Sequence, residues 1–398
     1  MPHQEYIDAT LAVVGAPGPE HEDKPRNLPR LSWTSWRYAL RRTVREFFAE
    51  GIIDLAAMLT FFTVLSLGPA VLVIYSIITL VLSNNAAEVA RRVENFVRDR
   101  IPAEYQNLAL DLIDAVTGSP TGGAVALAVG ITVALWTSSA YVRAFSRGSN
   151  SLYGRTEGRG FLRKAGAMLL TNLGLLVGIV TILVSLVLNE TLVDGVLGPV
   201  AEPLGLSGVL DFLLQTFLPV WAWLKWPVIL ALLIGFVAVL YYFTPNVRQP
   251  KFRWLTPGSA VAVLGIVAAG AALYIYFSVF AGYSSYGAVG TVMALLFTLW
   301  VFNIVLLLGV KLDAEVERAR QLQAGIPAEE NIQLPPRDII RVEKMRKTQE
   351  QLTSDGRELR RTHNASDGAG EDARDSGGAA PTGRPGSTAY QAPAGGGG

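Results

Sequence analysis

The 398-residue chain contains no cysteine and only three histidines, His3, His21 and His363, which stand apart from one another in its polar ends. The first absence excludes disulfides, iron–sulfur clusters and cysteine zinc sites, and the isolation of the histidines leaves no cluster at metal-ligand or acid–base spacing. There is no Gly-Lys pair, so the chain has no phosphate-binding loop of the Gly-Lys-Ser/Thr type. Charge is scarce as well: 17% of residues are Asp, Glu, Lys or Arg, against about a quarter in ordinary soluble domains. The short apolar run Leu11-Ala12-Val13-Val14 is too weak for a signal-peptide core, and no cleaved export signal is expected. These absences argue against metal-dependent or histidine-based RNA cleavage and against ATP-driven transport. No catalytic residue, metal or cofactor is assigned, and the chain is not expected to be an enzyme.

Apolar sequence fills the space that charge leaves. Hydrophobic residues make up 51% of the chain, and from Trp254 to Leu312 the only charged side chain is Lys311. That run is about twice the ~20 residues a helix needs to cross a bilayer. It is interrupted by Gly282-Tyr283-Ser284-Ser285-Tyr286-Gly287, so it reads as a transmembrane hairpin. The chain is expected to be an all-α polytopic membrane protein with about six transmembrane helices, near 55–82, 123–142, 165–189, 227–244, 256–281 and 288–310. Their interiors lack acid and base, which argues against a buried proton or sodium relay. Basic residues crowd the loops at 143–164 and 248–253, which places those loops and both termini in the cytoplasm.

The remaining segments follow the same logic. The stretch 208–224 is apolar but carries Asp211, Gln215 and Pro219, and a span there would turn the basic 248–253 loop outward; it is read as a re-entrant or interface-lying helix. Residues 86–117 repeat apolar side chains at helical spacing and should form an outer cap. Ahead of the first span, Trp33, Trp36, Leu40, Val44 and Phe47 share a helix face bordered by Arg37, Arg41, Arg42 and Arg45, the pattern of a basic interfacial helix. Residues 1–32 are read as a polar tail, 33–320 as the membrane domain, 321–363 as a cytoplasmic polar segment with a helix near 337–361, and 364–398 as a disordered tail rich in Gly, Ala, Ser and Pro.

Several groups of residues occur in an order that resembles the YihY/BrkB family of bacterial inner-membrane proteins. They are Ala56-Ala57, Phe61-Phe62 and Ser66-Leu67-Gly68-Pro69; Leu135-Trp136-Thr137-Ser138-Ser139-Ala140 with Asn150 and Tyr153; Tyr242-Phe243-Thr244-Pro245-Asn246 with Trp254, Thr256-Pro257-Gly258 and Ala260; and Tyr276, Tyr286-Gly287, Trp300 and Gly309. The resemblance covers roughly 33–320 and implies a six-span helical fold in the bacterial inner membrane. It implies no settled activity: members have carried a ribonuclease label regarded as mistaken, and others are described as transporters or virulence-associated factors. The sequence departs from the family pattern Gly-Ala-Glu-Leu-Asn-Ala at Gly309-Val310-Lys311-Leu312-Asp313-Ala314, where Lys311 replaces a Glu.

Uncharged polarity inside the spans then points to a permease or exporter of an amphipathic or lipid-like substrate. Ser66, Pro69, Ser139, Asn172 and Asn303 are candidates for its pathway, and Arg143 and Arg147 for contacts to an anionic headgroup. The alternative is a non-transporting membrane scaffold or envelope-associated interaction protein, with a membrane-bound ribonuclease a distant third. Membrane lipids are the expected partners and nucleic acid is not; the basic loop at 143–164 is what topology alone demands. Charged residues at span ends, Lys311, Asp313 and Glu315 among them, are read as boundary or snorkelling groups.

Overall fold

The computed structural model describes residues 2–16, 31–81, 120–188, 193, 207–249, 252–280 and 287–375. The expected outer cap at 86–117 lies outside them. The described residues form helices: α1 (Pro2–Ala12), α2 (Trp33–Ala49), α3 (Ile52–Val81), α4 (Pro120–Leu152), α5 (Phe161–Val187), α6 (Ser207–Phe243), α7 (Pro257–Phe280), α8 (Gly287–Gln323) and α9 (Ile340–Asp375). The expected apolar windows fall on α3 to α8. By length and hydropathy, four described helices can cross a membrane, or five if the bent pair α2 and α3 counts as one span. Within the apolar windows of these four, only 22–28% is buried inside the protein. Leu170, Trp223, Leu264, Tyr274 and Phe297 are among the exposed side chains, an outward apolar surface that suits lipid.

α8 is the hub, packing on α2, α3, α4 and α7. Where α7 crosses α8 there is no room for side chains: a Cβ on Gly258 would fall 1.9 Å from the Gly309 carbonyl oxygen, and one on Gly309 would fall 2.2 Å from the Tyr241 hydroxyl. The apolar core continues from this crossing through Leu240, Leu306, Leu307 and Val310 to Ile52, Leu59 and Phe145. The rings of Tyr141, Phe145 and Tyr241 form a stack with successive centroids 6.3 Å apart.

With 37 residues, α8 is about 55 Å long at ~1.5 Å per residue, well beyond the ~30 Å of hydrocarbon. The overshoot carries charge, and α2 runs antiparallel along it. Gln323 accepts from the Ser32 amide at 2.9 Å and the Ser35 hydroxyl at 2.8 Å, tying the start of α2 to the end of α8. Ala39 and Thr43 pack inward. Further along, Lys311, 1% exposed, bonds to Glu46, to Glu50 at 2.7 Å and to Glu315 at 3.0 Å. Arg42 and Arg318 reach the same Glu315 at 3.1 and 3.0 Å, so three cations meet three carboxylates. Lys311 is therefore no snorkelling boundary residue: it is too enclosed to reach water, and the α2 carboxylates satisfy it instead. The opposite side of α2 keeps its interfacial character, with Trp33, Leu40, Val44 and Phe48 exposed. Gly51, at φ +63°, then makes the 67° bend into α3, a left-handed conformation that favours glycine.

The structure corrects three expectations. Residues 208–224 are no separate re-entrant helix; they continue into the next apolar stretch as one 37-residue run, Ser207–Phe243. A π-helical turn at Leu213–Phe217 precedes Pro219, and such a turn accommodates the donor that proline lacks. The N-terminal segment contains a docked helix rather than only a tail: Ile7, Thr10 and Val13 are buried, and Thr10 accepts from the Thr156 amide at 2.9 Å. Helix α9 extends through 364–375, where a disordered tail was expected. The chain divides into two compact units, Met1–Glu343 and Lys344–Gly398, and the described side chains of the second are largely exposed and polar.

Two outcomes are expected from thermal unfolding in detergent. Gly258→Ala destabilises by about 1–3 kcal/mol through overpacking at the α7–α8 crossing, whereas Gly270→Ala, with nothing within 4 Å of its added methyl, stays within about 0.5 kcal/mol of the parent. Lys311→Glu, which strips the three carboxylates of their central cation and adds a fourth, costs more than Lys311→Met, and adding Glu50→Lys to Lys311→Glu recovers part of the loss.

Candidate functional site

The sequence-predicted pathway residues converge in part. A groove of about 320 Å³ runs between α3, α4, α5, α6, α7 and α8, and its lining includes Ser66, Asn172 and Asn303. Most of the wall is apolar, from Leu175, Ile179, Leu233, Phe236, Ile266 and Phe302, and no charged side chain among the described residues lines it. Asn303 is its organising polar group. Its amide donates to the Thr60 hydroxyl at 3.1 Å and the Leu299 carbonyl at 2.9 Å, and its oxygen accepts from the Tyr141 hydroxyl at 3.0 Å. One side chain thus joins α3, α4 and α8. The Ser66 hydroxyl bonds back to the Phe62 carbonyl at 2.8 Å, as helical serines do. It presents polarity to the groove without a charge.

The other candidates sit elsewhere. Arg143 donates to Ser139 one turn before it on α4, and neither lines the groove. Arg147 is exposed on the same helix. α3 runs as a helix through Pro69, whose side chain lies outside the described residues. The expected headgroup cations are therefore outside the groove.

A second polar feature escaped the sequence reading. The loops that join α4 to α5 and α6 to α7 interlock with the 326–339 segment into a hydrogen-bonded base. Asn246 is its knot: its backbone N–H donates to Asn150 at 2.6 Å, its side chain donates to the Thr156 and Asp338 carbonyls at 3.1 and 3.0 Å, and its amide oxygen accepts from the Asp338 N–H at 3.2 Å. Arg159 donates to the Phe243 and Thr244 carbonyls at 3.0 and 2.7 Å and pairs with Glu157 at 2.8 Å. Burial alone would raise the Glu157 carboxyl, but the bonds and charge of Arg159 hold it below its ordinary value. Arg155, 2% exposed, donates to the Ala9 and Ile332 carbonyls, and burial, helped by the nearby Arg318, lowers its pKa to about 10. The guanidinium of Arg337 lies over the Tyr242 ring, 5.0 Å from its centroid.

Inside this base is a cavity of about 80 Å³, lined by Tyr153, Tyr241, Tyr242, Gln249, Arg253, Thr256, Ser259, Asp313, Glu317 and Arg320 among others. Asp313 closes one wall, accepting from the Gly258 N–H at 2.8 Å and the Thr256 hydroxyl at 2.5 Å at the start of α7. The signal for this cavity was present in the sequence: Tyr153, Tyr242, Thr256 and Pro257, quoted above only as landmarks of resemblance, all line it. Nothing in one-dimensional spacing says that α8 overshoots the bilayer and brings Asp313 and Arg320 to meet them.

The protein YfkH of Bacillus subtilis (strain 168), described as ribonuclease-like, is 29% identical over 269 residues, which cover 67% of this chain and 90% of that protein. No solved structure matches. The family model described as virulence factor BrkB matches residues 43–332, a stretch that takes in the groove and most of the α2–α8 ion cluster and of the polar base, and the chain belongs to that family.

Proposed function

We propose that this chain is a permease or exporter of the bacterial inner membrane that moves an amphipathic or lipid-like substrate without hydrolysing nucleotide. The observation that carries the reading is the uncharged groove of about 320 Å³ with Ser66, Asn172 and Asn303 in an apolar wall. Such a lining accommodates an acyl chain at little desolvation cost while offering hydrogen bonds to a few polar atoms; an inorganic ion would find no counter-charge. The arginines at 143 and 147 on α4 and the exposed arginines of α2 supply positive charge for an anionic surface rather than for the groove itself. In this reading the chain is not a ribonuclease, its α3–α8 helices make six spans, and both termini face the cytoplasm.

Reconstitution into liposomes with fluorescent anionic phospholipid tests transport: the protein should speed flipping, and Leu176→Trp, which adds bulk to the groove lining, should slow it by at least about tenfold. Equal rates with and without protein would sink the reading. The cysteine-free sequence makes topology simple to measure. In spheroplasts, an impermeant maleimide should label Gly208→Cys before lysis and Thr362→Cys only after it; labelling of both before lysis reverses the assigned orientation of the C-terminus.

A further inference from the structure

The polar cavity in the base holds fixed charges of both signs, and the groove reading leaves them without a role. Arg320, 7% exposed, donates from Nη1 to Glu317 at 3.2 Å, while its buried Nε–H meets no acceptor among the described residues. A buried guanidinium N–H without an acceptor costs free energy, which an arriving ligand oxygen would offset. Arg253 also lines the cavity. Asp313 also lines the cavity, and its two oxygens each accept one hydrogen bond, from Thr256 and Gly258. A carboxylate accepts about four, so it retains capacity for a donor. The cavity lining therefore carries charge of both signs, Arg253 and Arg320 together with Asp313 and Glu317, of which Glu317 is already paired with Arg320.

We propose that this cavity binds the headgroup of a phospholipid in which a phosphate and a primary amine are joined by a short chain, with the phosphate on Arg320 and Arg253 and the ammonium on Asp313. The inference rests on the lipid-like substrate of the preceding reading and names its class. Size supports a small polar end group: the cavity offers about 80 Å³, against ~30 Å³ for one water. Placement supports the proposal too. Trp254 and Leu255, 64% and 54% exposed, directly follow Arg253, and an exposed tryptophan marks headgroup depth. From there the exposed face of α7, with Val261 and Leu264, offers acyl chains an apolar track.

The test is a binding titration of the full-length protein in detergent, followed by native mass spectrometry. The ligands are dioleoyl phosphatidylethanolamine, phosphatidylcholine and phosphatidylglycerol, and free O-phosphoethanolamine. Phosphatidylethanolamine should bind at least about tenfold more tightly than the other two lipids, since a trimethylated amine donates no hydrogen bond and glycerol carries no cation. Arg320→Gln should weaken it about tenfold, and Asp313→Asn, which keeps an oxygen for the Gly258 N–H, should erase the preference over phosphatidylglycerol. Equal affinity for the three lipids overturns the proposal, as does an unchanged preference in both variants at parental thermal stability. Should Arg320→Gln fail to fold, Arg253→Gln decides by the same criterion. Free O-phosphoethanolamine binding as tightly as the lipid makes the occupant a soluble phosphoamine and overturns the lipid assignment. Selective binding without flipping supports this site and sinks the transport reading; flipping without selective binding does the reverse.

Discussion

The pairing of Lys311 with Glu46, Glu50 and Glu315 is the interaction on which the arrangement of the base depends. A lysine enclosed where a transmembrane helix leaves the hydrocarbon must be neutralised within the protein, and the carboxylates that do so come from α2 and from α8 itself. This fixes α2 along the overshoot of α8, and with it the register between the interfacial helix and the hub of the bundle. Arg42 and Arg318 complete the cluster, and Arg318 also donates to the Ala328 carbonyl at 2.7 Å, carrying the connection into the segment that follows α8. An Arg–Glu–Lys lattice of this kind is a device of specificity: apolar side chains of similar volume would pack the two helices together without dictating one alignment.

Charge and uncharged polarity are thereby kept in separate compartments. The groove uses amides and hydroxyls, centred on Asn303, to hold its helices at fixed distances without placing an ion in the bilayer. The base gathers the ions, where loop carbonyls and neighbouring carboxylates satisfy them. The division lets one stretch of α8 serve both: Asn303 faces the groove, Gly309 permits the tight crossing with α7, Lys311 binds α2, and Asp313 and Arg320 address the base. Each role follows from how far along the helix the residue lies relative to the edge of the hydrocarbon.

How much of this was legible in the sequence follows the range of the interactions. The apolar windows located α3 to α8 because bilayer thickness is written in run length, and the arginine-bordered face of α2 was readable because it is periodic. The continuity of 208–224 with the helix that follows was not, since Asp211, Gln215 and Pro219 are unfavourable by composition and are accommodated by a π-turn that composition does not announce. Ser66, Asn172 and Asn303 were found as groove residues because uncharged polar groups are rare in such spans. Arg143 and Arg147 lie on α4 outside the groove lining, a placement that charge count alone does not give. The Asn246 knot and the Asp313 cavity join segments more than fifty residues apart, and no local pattern records such a meeting.

The bend at Gly51 has a mechanical reading. α2 exposes an apolar face suited to the lipid interface, is bound to α8 by ions along its length, and meets α3 at 67° through a single left-handed glycine. A helix lying at the interface rides with the bilayer surface, while a helix standing in the bilayer responds to its thickness. Here the two are coupled at one end by a pivot and along the side by a clamp. The pivot ties α2 to α3 and the clamp ties it to α8, so α2 cannot shift without straining both contacts.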